Sequence, residues 1–152
     1  MANGSRRRRS GEPRLPWYAE GLSFQCKPDC GACCTDHDQY AHVFLQAGDA
    51  GRLAGILEMT RDEFRRRHTL VDDGGDLVLR MHGPDCPFLD GARCTVYAAR
   101  PVQCRTFPFW SENLNSRQSW TQLRGFCPGI DEGERHDLRT IDAHLEARRR
   151  TG

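Results

Sequence analysis

The sequence predicts a small α+β fold, a cysteine-rich, metal-stapled domain with short helices packed on a hairpin-based sheet. Three observations point there. Apolar residues are few, helix-capping and hairpin signals alternate along the chain, and eight cysteines fall into two separated groups. Only 38% of the 152 residues are hydrophobic, so burial offers a modest offset to chain entropy, and cores of this kind are commonly reinforced by disulfides or metal.

The elements follow in chain order. Residues 1–20, rich in Arg, Gly, Ser and Pro, read as a disordered tail, with the cysteine-cluster domain over 21–147 and a basic C-terminal tail over 148–152. Fixed structure is expected from near Leu22. Ala41 to Gln46 reads as a short strand, and Asp49 as the cap of a helix through Leu57 whose apolar side is Ala50, Leu53, Ala54 and Leu57. Gly51 and Gly55 weaken that helix. Thr60 and Glu63 stand at the positions of a reciprocal capping pair, and Met59 and Phe64 at those of a hydrophobic staple, so a second helix should run from Arg61 to His68. Turn residues from Asp72 to Gly75 then lead into a strand from Leu77 to Met81.

Asp90 and Gly91 announce a hairpin whose register carries chemistry. A two-residue loop pairing Leu89 with Ala92 would throw Cys86 to the side opposite Cys94. A three-residue loop of Leu89, Asp90 and Gly91, with Gly91 left-handed, pairs Cys86 directly with Cys94, at a Cβ separation of ~4.5–5.5 Å that lets both reach one metal. The second register is the expected one. Pro101 suits the first position of a short helix carrying Cys104, and Pro108 ends it. Residues 111–125 are polar and read as a loop or strand pair anchored by Trp120. From Asp131 onward Leu138, Ile141 and Leu145 recur at helical spacing and predict a terminal helix fraying into arginines.

The net charge of +1 conceals an asymmetry. Residues 1–16 carry five arginines and one glutamate, and Arg148, Arg149 and Arg150 close the chain, which leaves 14 basic and 20 acidic residues between them. A body about six charges negative argues against a nucleic-acid-binding face. The arginine clusters read as solvated tails.

Compartment decides what eight thiols can do. Arg6 to Arg9 are followed by SGEPRLPWYAEG, without the ~7–15 apolar residues of a secretion signal. No segment approaches the ~18 apolar residues of a membrane helix. The expectation is a soluble, cytoplasmic protein with no membrane contact, where stable disulfides are rare and cysteine clusters bind metal.

The candidate ligands are Cys26, Cys30, Cys33, Cys34, Cys86, Cys94, Cys104 and Cys127. Their gaps are three, two and zero residues in the first group, then seven and nine from Cys86 to Cys104, and 22 before Cys127. Thiolates select zinc, copper(I) or iron, and two tetrahedral four-sulfur sites would consume all eight. Neighbouring side chains diverge, so Cys33 and Cys34 should serve different ions, different irons of one cluster, or include one thiol that is not a ligand. Gly31 lets the backbone turn tightly there. Lys27, Arg100 and Arg105 stand close enough in sequence to offset thiolate charge. Asp29, Asp36 and His37 are substitute donors, although His37, His42 and His82 fit surface residues as well.

Two enzymatic readings compete. The C-x3-C-x2-C spacing of Cys26, Cys30 and Cys33 is that of radical-SAM enzymes, but the chain lacks their alternating strand and helix pattern and has Ala32 where an aromatic residue is usual. A vicinal redox pair at Cys33 and Cys34 would leave six cysteines unexplained.

FQCKPDCGACC, CPFLDGARCTVYAARPVQCRTFPFW and GFCPGI, in that order, resemble the zinc- or iron-chelating cysteine-cluster family named for its CxxCxxCC motif. The resemblance spans roughly Phe24 to Ile130. It implies that all eight cysteines are motif positions and that Arg100, Pro101, Arg105 and Pro108 belong to the stretch around the seventh. The first gap here is three residues, against two in the motif, which sets Cys26 apart. The implied cofactor is zinc or iron, including an iron–sulfur cluster. A related cysteine-rich segment is associated with flagellin lysine N-methylases, which implies an alternative, an enzyme or enzyme accessory in lysine N-methylation or redox chemistry. No Gly-rich loop for a methyl-donor nucleotide is present.

Overall fold

Local capping sets the best-defined helix. Thr60 accepts a hydrogen bond from the Glu63 N–H at 3.1 Å and starts α2, Arg61–His68, with Phe64 fully buried beneath it. The computed structural model describes residues 14–27, 30–34, 42–81, 85–125 and 127–149. Among these, the chain order is β1 (Leu22–Phe24), a 3₁₀ turn at Ala32–Cys34, α1 (Asp49–Ile56), α2, β2 (Thr69–Val71) and β3 (Leu77–Leu79). There follow β4 (Leu89–Asp90), β5 (Arg93–Cys94), a 3₁₀ turn at Tyr97–Ala99, α3 (Val102–Thr106), α4 (Arg117–Gln122), β6 (Ile130–His136) and α5 (Leu138–Arg149). The α+β class is as expected, its strands forming three two-stranded antiparallel sheets, β1–β6, β2–β3 and β4–β5. The expected strand before α1 appears as a bridge from Phe44 to Val78, on the edge of β3 opposite β2.

Several expectations need correction. Gly48, at φ +89°, caps α1, not Asp49. The Asp49 carboxylate is 0% exposed and accepts from the N–H of Gln46 at 2.7 Å and of Val102 at 3.3 Å, while pairing with Arg52. It therefore serves the N-terminus of α3 more than that of its own helix. Pro101 lies one residue ahead of α3 as its cap. Within 111–125 a helix, α4, replaces the expected loop or strand pair; Ser116 accepts from the Ser119 N–H at 3.0 Å. Trp120 is the buried anchor expected. Residues 130–136 form a strand where a helix was expected, because β1 supplies its partner: Leu22 faces His136, Ser23 faces Arg135, and after a bulge Phe24 faces Ile130. The helix begins at Leu138, with Asp137 accepting from the Thr140 N–H at 2.8 Å.

The hairpin adopts neither register considered. Leu89 pairs with Cys94 and Asp90 with Arg93 around a Gly91–Ala92 loop. Gly91 is at φ +61° and Ala92 is not at positive φ, the sign pattern of a type II′ turn, which needs glycine first. Cys86 is therefore not opposite Cys94.

Two buried clusters form the interior. Leu45, Leu53, Phe64, Leu79, Phe88 and Val96 lead the first, with Cys86 and Cys94 packed against it. Leu22, Phe109, Trp120, Leu123, Ile130 and Ile141 lead the second, with Cys127 packed against it. Packing reaches ahead of Leu22, since the Trp17 indole donates to the Leu114 carbonyl at 2.7 Å. At the other end Arg148 lies 4.2 Å from the centre of the Trp110 ring.

Candidate metal centre

The cysteines arrive on different elements, and backbone contacts bring them together. Gly31, at φ +62°, ends the loop holding Cys26 and Cys30 and passes so near the hairpin that a Cβ would sit 2.8 Å from the Ala92 carbonyl oxygen. Glycine is required there twice, by conformation and by space. The Cys86 N–H donates to the Cys34 carbonyl at 2.7 Å, tying the 3₁₀ turn to the segment ahead of the hairpin. The Gln25 N–H donates to the Gly129 carbonyl at 3.2 Å, and a Cβ on Gly129 would collide with the Gln25 carbonyl oxygen, so Cys26 and Cys127 are held on neighbouring segments.

The result is one cavity of about 60 Å³ lined by Cys26, Cys30, Cys34, Cys86, Cys94, Cys104 and Cys127. All seven are half-buried thiols outside any disulfide. The eighth, Cys33, lies in the 3₁₀ turn, but its side chain is outside the described residues. Asp29, Asp36, His37 and His82 are outside them as well. Among the described residues, no three Cys, His, Asp or Glu side chains close on one point at ligand distance. The sulfurs surround a space shared by both cysteine groups.

Cys86 enters that space through a turn, the Leu89 N–H donating to the Cys86 carbonyl at 3.0 Å, and not through the ladder. Cys94 reaches it from β5 and Cys104 from α3. The rest of the wall is mainly apolar, including Phe24, Leu79, Phe88, Val96 and Phe107. Two cations join it, Lys27 and Arg100, whereas Arg105 does not line it. Tyr97 and Arg100 act together: the guanidinium carbon lies 3.8 Å from the ring centre and Nε donates to the Tyr97 carbonyl at 3.0 Å. His42 is exposed and away from the cavity.

The surroundings favour thiolate. A hydrogen bond with the Cys34 thiol, opposed by burial and helped by the Val96 backbone and the Arg100 charge, brings Cys94 down to about 6. The Ala32 N–H donates to Cys30 Sγ at 3.3 Å. A sulfur-only, partly anionic donor set fits a soft metal ion.

Fold and site together define a small α+β protein organised around a cysteine cluster. A family model described as "Putative zinc- or iron-chelating domain" matches residues 25–128, and the chain belongs to this family, CxxCxxCC. The chain is also similar to uncharacterized protein MJ0661 of Methanocaldococcus jannaschii, at 28% identity over 123 residues. That match covers 77% of this chain and 63% of the relative, so the chain spans less than two thirds of the curated relative's length. No solved structure matches the chain. No helix among the described residues is long and apolar enough to cross a membrane.

Proposed function

We propose that the chain is a cytoplasmic metal-binding protein whose eight cysteines form one shared thiolate centre for zinc or iron. One observation carries this reading: seven cysteines from both sequence groups face a single cavity. Its volume of about 60 Å³ is far below the ~300–1,000 Å³ of pockets for organic ligands, so its size suits ions or a small cluster. Two adjacent four-sulfur ions or one iron–sulfur cluster fit a shared space better than two distant zinc sites. The vicinal Cys33 and Cys34 then serve as the junction between ligand sets.

Cys86 and Cys94 would hold the centre from the first apolar cluster and Cys127 from the second. Binding across that seam contributes folding free energy directly, because the unfolded chain has no preformed site. Zinc would supply that closure alone, and iron would add electron transfer. Lys27 and Arg100 offset part of the thiolate charge in an apolar surround.

The test is anaerobic purification followed by zinc, iron and acid-labile sulfide analysis and an absorbance spectrum near ~400 nm, where iron–sulfur centres absorb. The expected result is stoichiometric metal, either about two zinc ions in colourless protein, following the eight-thiolate arithmetic, or several irons with sulfide. Cys94→Ser and Cys127→Ser should each lower the metal content; an unchanged content would remove that cysteine from the ligand set. Folded, metal-free protein would overturn the reading.

A further inference from the structure

Beside the cysteine cavity stands a second feature that the metal reading does not use. A groove of about 250 Å³ runs between the start of α1 and α2, floored by Leu45, Ala50 and Leu77 and edged by Gly51, Arg61 and Arg65. Arg61 and Arg65 are four residues apart and so share one face of α2. Both are exposed, and neither has an ion-pair partner among the described residues. Two nearby carboxylates are engaged elsewhere, Glu63 on Arg67 at 3.2 Å and Asp49 buried on Arg52, Gln46 and Val102, and the exposed Asp62 forms no ion pair with either arginine.

Gly51 adds an independent observation. It occupies a helix interior, where glycine costs ~1 kcal/mol relative to alanine. A Cβ there would meet nothing within 4 Å, so no neighbour in the chain requires the small residue. Gly51 lines the groove, which a longer side chain at this position would narrow.

We propose that this groove docks an acidic peptide segment of a partner protein, with an apolar side chain on the Leu45, Ala50 and Leu77 floor and two carboxylates on Arg61 and Arg65. The volume is below the ~300–1,000 Å³ of small-molecule pockets and suits a side chain with adjoining backbone. Planar guanidinium groups recognise carboxylates bidentately. They form a positive edge on a body about six charges negative between residues 17 and 147, which attracts an acidic segment to this edge and repels it elsewhere. Nucleic acid would meet the same two arginines but would leave the apolar floor unused and face the negative body.

The probe is an array of synthetic peptides in which two glutamates flank a leucine, isoleucine, phenylalanine or tryptophan at every short spacing, with glutamine-for-glutamate copies as controls. Full-length protein, carrying its metal as purified, is expected to retain a subset of the acidic peptides and none of the controls. Arg61→Glu with Arg65→Glu should weaken the best peptide at least tenfold. Arg66→Glu, a change of the same sign and half the size outside the groove, should stay within twofold. Gly51→Leu should block binding with both arginines intact, and circular dichroism and metal content should match the parent for all variants. Equal binding of the glutamine copies, no binding by any peptide, or preference for a duplex oligonucleotide would overturn the proposal.

Discussion

The two apolar clusters beside the cysteine cavity are built differently. The first lies between Leu45 and Ala99, so most of its contacts close short loops, and it contains α1, the capped α2 and the β2–β3 pair. The second joins Leu22 to a group running from Phe109 to Ile141, and bringing in that N-terminal segment closes more than half the chain, which costs more entropy before any contact forms. Aromatic contact compensates in part, with Phe109 stacked on Trp120 at 5.7 Å. A local cluster can stand by itself more readily than one assembled from distant segments, and a metal centre at the seam therefore matters most to the second.

The largest blow to that comparison is Phe64→Ala. Phe64 is fully buried in the first cluster and stacks against Phe88, a wall of the cavity, at 6.4 Å. Removing the ring should cost ~3–5 kcal/mol, read as a lower urea midpoint with an unchanged slope. Bound metal should fall with it. A curve with two separate transitions would show instead that the clusters melt independently.

A smaller effect tests the link between them. Asp49 belongs to α1 yet accepts from Val102 at the start of α3, and Gln46 Nε2 donates to the Ala147 carbonyl of α5 at 2.7 Å. Asp49→Ala strips acceptors from two backbone N–H groups. An unsatisfied buried group costs ~1–3 kcal/mol, and partial rescue by water should keep the total near ~2 kcal/mol. Hydrogen exchange at the Val102 amide should accelerate, while Asp49→Asn, which retains an acceptor oxygen, should lose less. An unchanged Val102 amide would mean that α3 is positioned without Asp49.

The same contrast explains what could be read in the sequence. The α2 helix was legible to the residue because Met59, Thr60, Glu63 and Phe64 are all local signals. Ser116 was missed as a cap because Ser119, not Glu or Gln, stands at the reciprocal position. IDEGERH is polar, with a central glycine, and becomes a strand only through β1, more than one hundred residues away in sequence. Gly91 signalled a turn but suited more than one register, so the expected direct pairing of Cys86 with Cys94 failed while both still reached one cavity. The cysteines announced themselves by count and spacing. Their convergence depends on close approaches at Gly31 and Gly129, and Arg105, near Cys104 in sequence, does not line the cavity that Arg100 lines.

The smallest effect sharpens the comparison by pH. His144 of α5 is half-buried and stacks on Phe109 at 5.3 Å. Burial first, then the charges of His136 and Arg105, hold its pKa below the ordinary histidine value. The unfolded chain consequently takes up the proton at a higher pH than the folded chain. The stabilisation is complete above ~6.5 and is lost as pH falls through the folded value. Half exposure limits the effect to well under ~1 kcal/mol. Urea midpoints at about pH 7.5 and pH 5.5, bracketing the ordinary value, should move less in His144→Phe than in the parent. Hydrogen exchange in the parent at the lower pH should speed around Trp120 before it speeds around Phe64. Equal midpoint shifts in the two proteins would remove His144 as the source, and simultaneous loosening at Trp120 and Phe64 would mean that the distant closures of the second cluster are no weaker than the local ones of the first.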